Sequence, residues 1–187
     1  MPTTVECQHT QPYYLPEMTE NLKYITFDTA AGWVGVLASA QGLVRITLPQ
    51  RSKAGALKLL GDSVSSATSS PDAFQDLKER LKRYFDGQKA AFPDELDLGG
   101  ATPFQRRVWE TTRLIPYGRT RSYSYIAGQI GKPGAARAVG QALGRNPLPI
   151  IIPCHRVIAR SGRPGGFTGG LEMKISLLHR ERAAGIK

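Results

Sequence analysis

The segment IPCHRV, residues 152–157, contains the most reactive side chains in the sequence. It places one of only two cysteines, Cys154, directly before His155 and Arg156. A thiolate is the nucleophilic form of cysteine, and a neighbouring base or positive charge favours that form. The segment therefore predicts a nucleophilic cysteine. The alternative is an inert core thiol, because apolar surroundings raise the pKa of a thiol.

The run PLPIIIP, residues 147–153, leads directly into Cys154. Its three prolines and three isoleucines predict a rigid, extended and buried segment. Adjacent side chains of an extended strand point to opposite faces, so His155 is not expected to touch Cys154 directly. We expect a bridging water to connect them.

The C-terminal run GGLEMKISLLHRER predicts a helix that supplies a third member of the site. Leu171, Ile175 and Leu178 define its inward stripe, and Glu181 follows on the same face. An inward carboxylate would fix the tautomer of His155 and raise its basicity. The alternative is that Glu181 lies at a frayed helix end and meets solvent or an arginine.

Composition indicates the partner and the compartment. The formal net charge is +10, which favours nucleic acid as partner ahead of an anionic membrane surface. Cys7 and Cys154 give no disulfide framework, residues 1–20 do not resemble a secretory signal, and no segment could cross a bilayer. We therefore expect an intracellular, soluble protein, cytoplasmic or, in a eukaryote, nuclear.

A structural zinc site is not expected, because the cysteines and histidines do not fall at ligand spacing. The candidates are scattered along the chain: Cys7, His9, Cys154, His155 and His179. Cys7 with His9 could form half of a site, but the N-terminal arm offers no second pair. We expect neither a metal nor a cofactor.

The chain divides into an N-terminal arm, residues 1–20, an α/β domain, residues 21–98, and a mostly α-helical domain, residues 99–187. Between Tyr24 and Leu48, three apolar runs separated by turn signals predict a small antiparallel sheet. The run DAFQDLKERLKRYFDG predicts an amphipathic helix. The first half shows no catalytic constellation, and its aromatic residues are assigned to the core.

The second half predicts a helix-turn-helix. Thr102 caps a first helix that begins at Pro103, and a short helix over residues 122–129 is followed by a glycine turn and a second helix. The basic residues far outnumber the one acid, Glu110, between residues 106 and 160, and indicate contact with phosphates. They include Arg107, Arg113, Arg119, Arg121, Lys132, Arg137, Arg145 and Arg156. Arg137 is expected to point outward, beside the small Ala135 and Ala136.

The motifs IPCHRV, GRNPLPI, AARAVGQAL and GGFTGGLEMKISLL together resemble the O6-alkylguanine-DNA alkyltransferases over about residues 99–183. The resemblance implies a DNA-repair protein without cofactor, and we expect a monomer because no sequence feature marks an oligomer interface. It would bind double-stranded DNA that carries O6-alkylguanine and flip the damaged nucleotide out of the helix. It would then transfer the alkyl group irreversibly to its own cysteine, with O4-alkylthymine as a further substrate.

The resemblance also implies a role for each matching residue. Cys154 is the acceptor, and His155 and Glu181 withdraw its proton through a water. Asn146 orders the acceptor turn, and Tyr123 assists extrusion of the nucleotide and protonates the departing guanine. Arg137 enters the base stack from a helix whose Ala135 and Ala136 approach the minor groove. Further DNA contacts are expected at Thr102 and Arg145, and a substrate pocket at Pro149, Val157, Phe167 and Thr168.

Two positions depart from the family pattern, since Phe167 and Thr168 stand where tyrosine and serine are frequent. Three other functions are open to the same residues. They are a lesion sensor that transfers no alkyl group, a DNA-binding regulator with an inert thiol, and a Cys-His hydrolase. Known relatives that act as such sensors carry tryptophan in place of the cysteine. Cys154 argues against the sensor, and a base adjacent in sequence fits a hydrolase poorly.

Overall fold

The computed structural model describes residues 21–182, so the proposed N-terminal arm and Cys7 lie outside the described residues. An antiparallel meander forms the N-terminal sheet, as predicted: β1 (Lys23–Thr29), β2 (Gly32–Ser39) and β3 (Gly42–Ile46). A short strand, β4 (Thr68–Ser69), adds to β1 in parallel and gives the order β3-β2-β1-β4.

Two helices cover this sheet. Helix α1 (Lys53–Leu60), which the sequence analysis did not identify, begins at Ser52, whose side chain accepts a hydrogen bond from the Gly55 amide. Helix α2 (Gln75–Phe85) is the predicted amphipathic helix and buries Leu77, Leu81, Tyr84 and Phe85. Short 3₁₀ turns at Asp62–Ser66 and Pro71–Phe74 connect these elements.

The second half is mostly helical, which confirms the predicted fold class. Its elements are α3 (Pro103–Arg113), β5 (Arg121–Ser122), α4 (Tyr123–Gln129), α5 (Ala136–Gly144), β6 (Val157–Ile158) and α6 (Leu171–Arg180). Thr102 caps α3 in a capping box with Gln105. Helices α4 and α5 pack on each other and on α3, and Val139 and Leu143 are buried on the inner face of α5.

The segment before Cys154 is buried but not extended, which corrects the prediction. Ile150 has a φ of 75°, and Pro149 and Ile152 form a bridge across the turn. Cys154–Arg156 then form a 3₁₀ turn. A turn is favoured here because the Asn146 side chain bonds two backbone groups of the segment, as described below.

Helix α6 also differs from its predicted orientation. Leu171 is 51% exposed and Ile175 is only half-buried, whereas Lys174, Leu177 and Leu178 face inward. The inward stripe is therefore rotated toward Lys174. Between residues 21 and 182, no helix is long and apolar enough to span a membrane.

Candidate active site

The Cys154 sulfur lies at the end of the acceptor turn, which comprises residues 146–154, and Cys154 is 7% exposed. The Asn146 amide donates to this sulfur at 3.2 Å and to the Ile152 carbonyl oxygen at 2.8 Å. The Asn146 side-chain oxygen accepts from the Leu148 amide at 2.9 Å. The Asn146 side chain thus stabilises the turn and positions the sulfur.

Burial raises the pKa of the Cys154 thiol above its ordinary value. The Asn146 hydrogen bond, the positive charge of Lys174 and the backbone amides of Cys154 and His155 oppose this shift but do not cancel it. The cysteine therefore rests as a thiol. It requires a base before it can act as a nucleophile.

His155 is fully buried, and its Nε2 lies 2.7 Å from Oε1 of Glu181. Burial lowers the pKa of His155, so the imidazole is neutral at physiological pH. With Nε2–H donating to the carboxylate, Nδ1 is an acceptor, and it has no hydrogen-bond partner within the described residues. A buried, unpaired acceptor on the residue that follows Cys154 in the sequence is suited to take up the thiol proton through a bridging water.

Glu181 is 2% exposed, which contradicts a frayed, solvated end, but it does meet an arginine, as the alternative allowed. Arg156 donates to both of its oxygens, from Nε at 2.8 Å and from Nη2 at 3.0 Å, and the Gly118 amide donates at 3.2 Å. Burial alone would raise the pKa of Glu181, but the hydrogen bonds from His155 and Arg156 outweigh it and lower the pKa to about 2. Glu181 is therefore ionised and oriented by its donors.

Tyr84 belongs to this site although it comes from the N-terminal half of the chain. Its hydroxyl donates to Oε1 of Glu181 at 2.7 Å and lies 3.3 Å from Nε2 of His155. Tyr84 is in the core, as predicted for the aromatic residues of the first half, but its hydroxyl also contacts the site, which the prediction did not include. The available signal was chemical, since a tyrosine on the buried stripe of α2 needs a partner for its hydroxyl.

Lys174 is a second residue that the sequence analysis missed. Its ammonium group is fully buried and donates to the Val157 carbonyl oxygen at 2.6 Å and to the Tyr123 hydroxyl at 3.4 Å. Burial lowers its pKa to about 8. Lys174 thus places a titratable positive charge close to Tyr123 and Cys154.

A cavity of about 610 Å³ opens onto the sulfur. Helix α5 forms one wall, and the residues that line the cavity include Tyr123, Ala136, Arg137, Cys154, Phe167 and Thr168. The loop across from α5 is held by Thr168, whose hydroxyl donates to the Gly144 carbonyl at 2.9 Å. Gly165 has a φ of 73°, and a Cβ atom there would lie 2.8 Å from the Tyr123 hydroxyl, so glycine is required at this position.

The remaining predicted site residues lie outside this cavity. Pro149 lines a second cavity that also reaches Cys154. Val157 is buried in β6, and Ala135 is half-buried just before α5. Arg145 is exposed directly after α5, and Thr102 is exposed and serves as the cap of α3. None of the last four lines either cavity.

Three of the arginines assigned to phosphates form hydrogen bonds within the protein, and one of them, Arg156, is buried, which corrects the assignment for that residue, whereas Arg107 is exposed and Arg113 is half-buried. Arg107 donates to the Ile130 carbonyl, Arg113 to the carbonyls of Phe92 and Asp94, and Arg156 to Glu181 and Ile115. Arg137 is exposed, and within residues 21–182 no hydrogen bond or ion pair engages it. In the same part of the chain, no cluster of three or more histidine, cysteine or acidic residues could hold a metal ion.

The family profile described as "6-O-methylguanine DNA methyltransferase, DNA binding domain" matches residues 103–183. A methylated-DNA–protein-cysteine methyltransferase of Mycolicibacterium paratuberculosis is 56% identical over 115 residues, which cover 62% of this chain and 69% of the relative. A protein of the same name from Shigella flexneri is 48% identical over 105 residues, which cover 56% of this chain and 61% of the relative.

Solved structures agree with this similarity. The O6-methylguanine methyltransferase of Mycobacterium tuberculosis aligns with a TM-score of 0.73 at 42% identity, over 86% of this chain and 93% of that one. A second structure from M. tuberculosis, solved in complex with DNA, aligns with a TM-score of 0.72 over 87% and 96% of the two chains. The chain therefore belongs to the methylated-DNA–protein-cysteine methyltransferases, a family of DNA-repair alkyltransferases.

Proposed function

We propose that this protein repairs O6-alkylguanine in DNA by moving the alkyl group to Cys154, once per molecule, and that it also accepts O4-alkylthymine. The observation that carries the proposal is the position of the Cys154 sulfur. It lies at the floor of a cavity, with the neutral His155 and the ionised Glu181 buried behind it.

The first step activates the thiol. The Cys154 proton passes through a water to Nδ1 of His155, while Glu181 stabilises the imidazolium that forms. Asn146, the backbone amides of the 3₁₀ turn and the charge of Lys174 stabilise the thiolate. Because Glu181 is already ionised and held by Arg156, it does not compete for the proton.

The second step is a displacement at the alkyl carbon. The sulfur forms a bond to that carbon as the carbon–O6 bond breaks, and the electron pair of the broken bond goes to the guanine. The Tyr123 hydroxyl lines the same cavity and donates a proton to the leaving base. The thioether product has no group that this site can expel, so each molecule acts once.

The damaged base must leave the helix, because a base stacked in a duplex cannot reach the sulfur of a residue that is only 7% exposed. Unstacking costs a few kcal/mol, which a poorly paired, damaged base reduces. Arg137 is exposed on the cavity rim and can occupy the space that the base vacates. The half-buried Ala135 and Ala136 beside it let the start of α5 approach the minor groove closely.

Intact mass spectrometry after mixing with a duplex that contains O6-methylguanine tests the proposal. We expect one added methyl group per chain, located on Cys154 by peptide mapping, and no gain for Cys154→Ala. A duplex with O4-methylthymine gives the same measurement for the second lesion. Binding without mass gain, with Cys154 shown to be reduced, would instead assign the protein as a lesion sensor.

A further inference from the structure

A polar cluster surrounds Arg80, which lies on α2 one turn before Tyr84. The Arg80 guanidinium donates to both carboxylate oxygens of Asp94, at 2.7 Å each. Its Nε donates to Asp76 at 3.0 Å, and its Nη1 also donates to the Ala91 carbonyl at 3.2 Å. Each of the three guanidinium nitrogens therefore has a hydrogen-bond partner, and the side chain is held in one orientation.

The Arg80–Asp94 pair differs from an ordinary surface ion pair. Both side chains are only 16% exposed. Burial alone would raise the pKa of Asp94, but the hydrogen bond and the charge of Arg80 outweigh it and lower the pKa. A bidentate pair that is shielded from solvent fixes geometry, whereas single exposed pairs contribute little. Lys82 on the same helix is such an exposed case, since its Nζ lies 3.8 Å from Oδ1 of Asp28.

Asp94 belongs to the connecting segment, residues 86–102, which joins α2 to α3. The same part of this segment is also bound from α3. Arg113 donates to the carbonyl oxygens of Phe92 at 2.8 Å and of Asp94 at 2.7 Å. The connecting segment is thus fixed between the two helices, by Arg80 on α2 and by Arg113 on α3.

Phe92 links this cluster to Tyr84. The guanidinium carbon of Arg80 lies 5.6 Å from the centroid of the Phe92 ring. The Phe92 ring in turn packs on the Tyr84 ring in a T-shaped arrangement, with the centroids 6.1 Å apart. Because a hydrogen bond weakens steeply with distance and angle, the position of this ring determines how well the Tyr84 hydroxyl donates to Glu181.

We propose that Arg80 and Asp94 are positioning residues for the alkyl transfer, because they hold Phe92 against Tyr84 and so keep the tyrosine hydroxyl on Glu181. This inference rests on the proposed function. Neither Arg80 nor Asp94 lines the cavity above the sulfur, so both act through Tyr84 and not on the substrate. The N-terminal half thus contributes to the site both a hydroxyl group and the cluster that orients it.

The pKa of His155 is the measurement that detects the Tyr84 hydroxyl. A carboxylate that loses a donor accepts more strongly from His155 and stabilises the imidazolium, which raises this pKa. Glu181, Arg156 and Lys174 also act on the pKa of His155, but all three come from the C-terminal half and lie outside the Arg80 cluster. A shift caused by a change at Arg80 therefore reports on Tyr84.

We expect Arg80→Ala to raise the pKa of His155 by about 0.5 in an NMR titration of the imidazole, since one hydrogen bond to Glu181 is weakened. The acid limb of the single-turnover alkylation rate should move in the same direction. Tyr84→Phe removes the hydroxyl completely and should give at least this shift. Adding Arg80→Ala to Tyr84→Phe should give no further shift, because both changes act through the same hydroxyl.

Arg80→Lys keeps the charge but cannot bind both oxygens of Asp94 in the same way, so it should give a smaller rise and serves as the milder variant if Arg80→Ala does not fold. Lys82→Gln is the matched control on α2 and should leave the pKa of His155 unchanged. An additive shift in the double variant, or an unchanged pKa in both Arg80 variants, would overturn the proposal.

The titration of His155 requires no substrate, so it can be read whether or not the protein transfers an alkyl group. Absence of methyl transfer by the wild-type protein would contradict the proposed function. An unchanged pKa of His155 in the Arg80 variants, in a protein that does transfer methyl, would contradict only the role of the Arg80 cluster. The two failures are therefore distinguishable.

Discussion

Arg156 and Arg137 carry the same charge in two different regions of the molecule, one buried and the other exposed. Arg156 is buried beneath the acceptor turn, where its guanidinium donates to Glu181 and to the Ile115 carbonyl. Arg137 is exposed near the start of α5, on the rim of the cavity. The first arginine organises the interior of the site, and the second faces the solution from which DNA arrives.

Net charge therefore overstates the basic surface that is available to DNA. A count of basic residues assigns both arginines to phosphates, yet only an exposed side chain can exchange its counterions for a phosphate backbone. The buried region depends on ion pairs, so its contribution to the free energy of unfolding should change with pH and with removal of a partner. Substitutions in the exposed region should change the reaction with duplex DNA and leave the free energy of unfolding unchanged.

Glu181→Gln should produce the largest effect. It removes the charge that balances buried Arg156 and replaces an acceptor of Tyr84, His155 and Arg156 with an amide. Breaking a buried pair in this way costs about 3–5 kcal/mol. We expect the free energy of unfolding in urea to fall by this amount, and alkylation to slow without loss of DNA affinity.

Glu172→Gln on the same helix is the control, because this carboxylate is exposed in the first turn of α6. Its removal should cost less than about 1 kcal/mol, as expected for a surface charge near a helix N-terminus. Equal losses in the two variants would show that Arg156 does not depend on Glu181.

Acidification should lower the free energy of unfolding through two buried groups, Glu181 and His155. The pKa of Glu181 is lowered from 4.5 to about 2, so its stabilising contribution is present above about pH 4.5 and is lost as pH falls toward 2. The pKa of His155 is lowered from 6.5, so below that pH the unfolded chain binds the proton first and stability also falls. Urea titrations from pH 7 to 3 should show this decline, and Glu181→Gln should flatten its part below pH 4.5.

Local signals in the sequence predicted the elements that frame the site. The capping residue Thr102 marked the start of α3, and apolar periodicity marked the inner face of α5. The contacts of Tyr84 and Lys174 could not be predicted in the same way, because their partners are 97 and 17 residues distant in the chain. The turn at Ile150 was missed because three prolines favour an extended segment, and the Asn146 side chain overrides that preference.

Arg137→Ala tests the exposed region. Without the side chain that fills the gap in the base stack, extrusion of the damaged nucleotide should become less favourable. We expect transfer from O6-methylguanine in a duplex to slow by about 10- to 100-fold, and transfer from free O6-methylguanine to change little. The free energy of unfolding should stay within about 0.5 kcal/mol of the wild-type value. Equal losses on duplex and free base would remove Arg137 from nucleotide flipping.

Tyr84→Phe should have the smallest effect on stability and should be recognisable by a change in the pKa of His155. It removes one donor from Oε1 of Glu181, while His155 and Arg156 continue to donate, so the free energy of unfolding should fall by only about 1 kcal/mol. Tyr117→Phe is the matched control, because the Tyr117 hydroxyl donates to the carbonyls of Gly87 and Arg180 at 3.3 Å and not to Glu181.

The pKa of His155 distinguishes between two possible roles of Tyr84, one in proton transfer from Cys154 to His155 and one in packing alone. A carboxylate with fewer donors is a stronger acceptor for Nε2–H and stabilises the imidazolium more, so Tyr84→Phe should raise the pKa of His155. NMR titration of the imidazole, or the acid limb of the alkylation rate, should shift to higher pH in this variant and not in Tyr117→Phe. Lost packing alone would lower stability in both variants and leave the pKa of His155 unchanged. A shift confined to Tyr84 would show that the N-terminal half sets the basicity of the group that activates Cys154.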